Sequence, residues 1–157
     1  MAKKREDLST NVNESDKKII EELMKNSRRS TRELAKELRM HPSSVATRIK
    51  KLEQLGIIRG YGVDLDFEKL GYEHIGIIEI TMEHGALLVI QEKIAKMPEV
   101  IGVFDVTGQS DSIIIAMAKS RQQFSSLVKE ILGMKNIVRT NTHIVLNLVK
   151  LGARGLP

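Results

Sequence analysis

Apolar residues recur at helical spacing three times in the first sixty positions, and afterwards as β-branched runs separated by helical stretches. Ile19, Ile20, Leu23 and Met24 fall on one face of a helix that opens at Asp16 and ends near Asn26 and Ser27. A second helix is predicted from Ser30, where Ser30 and Glu33 stand at the spacing of a capping box and Leu34, Ala35 and Leu38 form the buried face. A short break at Arg39, Met40 and His41 leads to Pro42, which a helix tolerates best at its first position. The third helix then runs to Gln54, with Val45, Ile49 and Leu52 as its apolar stripe, and stops at Gly56.

Opposite that stripe, at 100° per residue, lie Ser43, Thr47 and Lys50, with Ser44 and Lys51 beside them. The exposed face is therefore small and polar at its start and cationic towards its end. Short side chains let a helix N-terminus approach base edges, while lysines further along can hold phosphates. Arg48 sits at the edge of the buried stripe, where it can either reach a phosphate or support the fold. Two short helices joined by a tight break, the second with a basic exposed face, make a helix-turn-helix pattern.

Residues 57–66 alternate in part and carry glycine breaks, so they read as strand pieces that either serve as a plain connector or pair with a partner subunit. Phe67 to Tyr72 makes a turn. Ile75 to Met82 reads as a buried strand, followed by a helix from Ala86 to Met97 that Pro98 halts. Val100 to Thr107 and Ser112 to Ala118 are two strands joined by a turn around Gly108 and Asp111. Ser120 opens a helix bearing Phe124, Leu127, Val128 and Ile131, Gly133 closes it, and Val138 to Val149 forms a last long strand. This order, βαββαβ, is that of a ferredoxin-like sandwich. The expected architecture is α+β. It comprises a winged-helix-like helix-turn-helix module over 14–60, a linker strand and turn over 61–72, and the sandwich over 73–150, with tails at 1–13 and 151–157.

Charge sharpens this division. Residues 1–60 hold 15 Lys and Arg against 9 Asp and Glu, and residues 61–157 hold 10 against 11, so the basic character belongs to the helical module. A basic module joined to a near-neutral one suits a polyanion reader with a second task. The absence of cysteine excludes disulfides and thiolate metal sites and suits a reducing cytoplasm; the four histidines lack the short spacings of a zinc site, and no metal or cofactor is expected. The N-terminal stretch is polar and carries no signal or membrane segment, so no membrane partner is expected. No paired carboxylates, nucleophile motif or phosphate loop appears, and Gly60 and Gly62 lack the third glycine of a dinucleotide fingerprint, which argues against an enzyme. The central strands offer Phe104 among aliphatics rather than the stacking aromatics of an RNA-recognition domain. A small-molecule-binding scaffold whose basic helices bind a protein is the competing class.

Several short motifs occur in a fixed order: Asp16, Ile19, Ile20 and Leu23; Asn26 and Arg28; Glu33 to Ala35; Ser43 to Val45; Arg48 to Glu53; Gly56 to Ile58; Gly108 and Asp111; Arg139, Thr140 and Thr142. Taken together, over residues 13–150, they resemble the leucine-responsive regulatory protein, or Lrp/AsnC, family of prokaryotic transcription regulators. The resemblance implies binding to a pseudo-palindromic operator in double-stranded DNA through Ser43, Ser44, Thr47, Arg48, Lys50 and Lys51. It implies a C-terminal domain that dimerises through its sheet and assembles further into octamers. It implies, too, an amino acid or related effector near Gly108, Asp111, Thr140 and Thr142, where a glycine turn, a carboxylate and hydroxyls can meet both ends of a zwitterion. Two positions depart from the family pattern: Arg39 stands where glycine is common in the turn, and His41 where a serine cap is common.

Overall fold

The computed structural model describes residues 12–83 and 87–151, so the predicted helix start at Ala86 and most of both tails lie outside the described residues. The chain forms two compact units, one extending to Asp64 and the other running from Leu65 to Lys150.

The first unit consists of α1 (Glu14–Lys25), α2 (Thr31–Glu37) and α3 (Pro42–Gln54). Both Asn13 with Asp16 and Ser30 with Glu33 form reciprocal capping boxes, satisfying backbone N–H groups that a helix start otherwise leaves bare. His41 caps α3 weakly, its Nδ1 accepting from the Ser43 N–H at 3.4 Å while lying 2.8 Å from the Ser43 hydroxyl. Two helix ends close in the same way. After α2, the Met40 N–H reaches the Ala35 carbonyl and Arg39 takes the left-handed position at φ 53°; after α3, the Ile57 N–H reaches the Leu52 carbonyl with Gly56 at φ 68°. Arg39 thus fills the glycine slot of the turn directly. Ile19, Leu23, Leu34, Ala35 and Val45 form the core, with Leu38, Met40, Ile49 and Ile58 packed against it.

Within the single chain no strand is assigned over residues 57–66, the stretch read as strand pieces or a plain connector. Ile57 and Ile58 spend their N–H groups on the α3 carbonyl of Leu52, and an extended segment becomes a strand only beside a neighbour that can pair with it.

The second unit contains β1 (His74–Met82), α4 (Leu87–Ile94), β2 (Val100–Asp105), β3 (Ser112–Ala118), α5 (Arg121–Leu132) and β4 (Ile137–Ile144). The sheet order is β2-β3-β1-β4 with every neighbouring pair antiparallel, as a ferredoxin-like sandwich requires. Alternate residues of the central strands, among them Ile78, Ile80, Ile114 and Ala116, pack under Ile90 and Ile94 of α4 and Phe124, Leu127 and Ile131 of α5. Neither α4 nor α5 covers the other face. β4 ends earlier than expected because β1 starts at His74: past the bond from the Val145 N–H to the Ile75 carbonyl, β4 has no strand beside it. α4 ends three residues before Met97, its last turn tightening into i to i+3 bonds at Lys96 and Met97.

Gly76 on β1 lies directly beneath the Phe124 ring, and a Cβ there would overlap it. Replacing Gly76 by Ala is expected to destabilise the protein by about 1–3 kcal/mol through overpacking, read from urea unfolding. Combining it with Phe124→Leu should cost less than the sum of the two single changes.

Candidate nucleic-acid interface

The third helix turns its apolar stripe inwards, with Val45 and Leu52 buried and Ile49 half-buried. Ser43, Ser44, Thr47, Lys50 and Lys51 are all exposed, as helical geometry demands of the opposite face. Lys50 and Lys51 form no ion pair among the described residues. Ser43, Ser44, Thr47 and Arg48 line a shallow concavity at the N-terminal half of the helix. The face accordingly presents hydroxyls first and exposed ammonium groups after them.

Arg48, one of the residues expected to contact DNA, is tied into the fold. Its Nη1 donates to Asp16 Oδ1 at 2.8 Å and to Asn13 Oδ1 at 3.1 Å, joining α3 to the first turn of α1. Asp16 is 2% exposed, and a buried carboxylate must be paired. Burial acts to raise the Asp16 pKa, but the Arg48 guanidinium and the Asn13 N–H outweigh it and hold the carboxyl below its ordinary value. Arg48 therefore supports the fold, while a third of its side chain stays exposed beside Ser43, Ser44 and Thr47. Sequence reading missed Asp16 as its partner, because the two residues stand 32 positions apart.

In the second unit, Gly108 is exposed with φ 126° in the turn between β2 and β3. Asp111 closes that turn: its carboxylate accepts from the Met82 N–H at 2.7 Å, and its own N–H donates to the Ile80 carbonyl. Thr140 and Thr142 lie opposite Ile80 and Ile78 on β4 and are half-buried on the helix-covered side of the sheet. Asp111, in the turn just before β3, and Thr140 on β4 thus flank Ile80 from its two sides, roughly 10 Å apart at the backbone.

On the helix-free side, Ile75, Ile77, Ile113 and Ile115 are only partly buried and Phe104 is half exposed. A polar group unforeseen from the sequence borders them. Glu79 accepts from the Asn141 amide at 3.0 Å and lies 3.4 Å from His143 Nε2; Asn141 first and His143 after it lower the Glu79 pKa. Among the described residues no group of His, Asp and Glu could hold a metal, and no helix is long and apolar enough to cross a membrane.

A capped three-helix unit with a bare cationic helix, joined to a ferredoxin-like unit, defines a helix-turn-helix DNA-binding protein with an appended α/β domain. The family of winged helix-turn-helix DNA-binding domains matches residues 12–59, and that of the Lrp/AsnC ligand-binding domain matches residues 75–154. A helix-turn-helix transcriptional regulator of Pyrococcus abyssi, itself uncharacterised, is 43% identical over 139 residues, covering 88% of this chain and 95% of that protein. The regulator LysM of Saccharolobus solfataricus is 32% identical over 138 residues, covering 88% and 96%. Among solved structures, a transcriptional regulator from Neisseria meningitidis in complex with L-methionine superposes with a TM-score of 0.85 at 27% identity, covering 92% of this chain and 96% of that one. AsnC of E. coli gives 0.81 at 29% identity, covering 90% and 96%. The chain belongs to the Lrp/AsnC family. It is a DNA-binding transcription regulator with a ligand-binding domain, and its relatives are regulators rather than enzymes.

Replacing Arg48 by Ala strands the Asp16 carboxylate in its buried position. The expected cost is about 2 kcal/mol, below the range for a fully buried pair because Arg48 is a third exposed. Since the Asp16 pKa is depressed on folding, its stabilisation is complete above the ordinary carboxylate range and is lost as pH falls through the folded-state value. Urea midpoints of wild type and Asp16→Asn should therefore differ at neutral pH and converge in acid.

Proposed function

We propose that a dimer of this chain inserts its two α3 helices into major grooves about 10 base pairs apart, or a multiple of that, on a pseudo-palindromic operator. The observation that carries the reading is the exposed face of α3, where five polar side chains project and neither lysine forms an ion pair among the described residues. In this role Ser43, Ser44 and Thr47 read base edges, Lys50 and Lys51 hold phosphates, and Arg48 fixes the helix to α1.

The helix-free sheet face is the proposed dimer surface. Its isoleucines and Phe104 offer apolar area that a second copy would remove from water, and further association into octamers follows the family pattern. The proposed effector is an amino acid, held near Gly108 and Asp111 and near Thr140 and Thr142; the methionine complex of the Neisseria relative supports that chemical class. Effector binding alters assembly and thereby operator occupancy. The cytoplasm, where the chromosome lies, is the proposed location.

Operator selection followed by binding titrations across salt concentrations tests the DNA reading. Lys50→Ala or Lys51→Ala should weaken all sequences alike and lower the slope of log affinity against log salt by about one unit, while Arg48→Ala leaves that slope unchanged. Thr47→Ala should relax preference at one base pair by about 1–3 kcal/mol. A protein-binding scaffold would select no DNA at all. For the effector, sedimentation with each of the twenty amino acids should show a shift in assembly state for at least one; no shift with any of them would contradict the proposed regulation.

A further inference from the structure

The segment that leaves α3 is tied down at two points by side chains with no place in the DNA-contacting face. The Tyr61 hydroxyl donates to Glu53 Oε1 at 2.7 Å, on the last turn of α3, and the Ser27 hydroxyl donates to the Gly62 carbonyl at 2.9 Å, just past the end of α1. Between and around these anchors the chain forms no strand, and Gly60 and Gly62 have open space where a side chain would stand. Steric contact at those two glycines therefore does not fix the path, and within the unit the two hydrogen bonds hold it. Partial burial and the Glu53 carboxylate push the Tyr61 pKa up to about 12, so the hydroxyl keeps its proton throughout the ordinary pH range. The boundary between the two compact units falls after Asp64, which leaves the whole latched segment in the DNA-binding unit.

We infer that Tyr61 and Ser27 are positioning residues for DNA recognition: by latching residues 59–63 to α1 and α3, they fix the direction in which the chain leaves the DNA-binding unit and so the half-site spacing that a dimer accepts. The inference rests on the proposed dimeric binding. A loose exit would let each helix-turn-helix unit swing about the two glycines, and operators with altered spacing would then be bound almost as well as the best one. A hydrogen bond of this kind is worth about twofold to tenfold in an equilibrium, and a dimer contains each latch twice.

The test uses the full chain and the operator it selects from random DNA, together with versions carrying one or two base pairs inserted between the half-sites. The quantity read is the ratio of affinities for the selected and altered spacings. Tyr61→Phe and Glu53→Ala are expected to lower that ratio by about threefold or more while the thermal midpoint of the free protein stays close to wild type. Ser27→Ala should act in the same direction. Glu53→Gln keeps an acceptor oxygen for the tyrosine and should retain the ratio. Loss of a negative charge near DNA changes affinity at all spacings alike, and the ratio cancels that effect. An unchanged ratio in Tyr61→Phe and Glu53→Ala, or an equal loss of affinity at every spacing, overturns the latch. A wild type that selects half-sites without any fixed spacing also overturns it but leaves DNA binding standing, whereas a wild type that selects no sequence overturns the DNA-binding reading itself.

Discussion

A helix that reads DNA must keep one face in the protein and the other bare, and the Asp16–Arg48 ion pair decides where that division falls on α3. Three cations stand within four residues of one another there, at Arg48, Lys50 and Lys51. The buried carboxylate of Asp16 draws the first into the fold, and its guanidinium also bonds the side chain that caps α1. One interaction thus joins α3 to α1, satisfies a buried charge, and leaves the two lysines exposed. A lysine at position 48 would offer a point charge where two acceptors now share one planar guanidinium nitrogen.

The ligand-binding unit follows a similar constraint at the scale of a sheet. α4 and α5 fill one face, and Gly76 lets Phe124 settle against β1. The opposite face keeps a partly exposed row of aliphatics bordered by Glu79, Asn141 and His143. An antiparallel sheet can leave one face in water when that face is polar, but this one is largely apolar. The proposed dimer would supply the missing cover.

Local signals were legible in the sequence wherever the physics is local. The Ser30 capping box, Pro42 at the start of α3 and Gly56 at its end each act within a few residues, and each lies where the pattern placed it. The Asn13 cap was equally local but was overlooked, since Asp16 stands in it where Glu or Gln is the commoner partner. What the pattern could not supply was anything set by a distant neighbour. The partner of Arg48 depends on how α1 crosses α3. The end of β4 depends on where β1 begins, and the side on which Thr140 and Thr142 lie depends on their register against Ile80 and Ile78. Residues 57–66 show the converse case: they alternate in part, but alternation describes side chains, and within one chain they have no second backbone to pair with.

The central claim is that α3 enters the major groove through the face bearing Ser43, Ser44 and Thr47. Methylation interference on the selected operator tests it most directly, because purine N7 lies in the major groove and adenine N3 in the minor groove. The account predicts that N7 methylation blocks binding in two clusters about one helical turn apart, or a multiple of it, and that Thr47→Ala removes the interference at one position in each cluster. Interference confined to the minor groove, or a pattern that Thr47→Ala leaves intact, would contradict it.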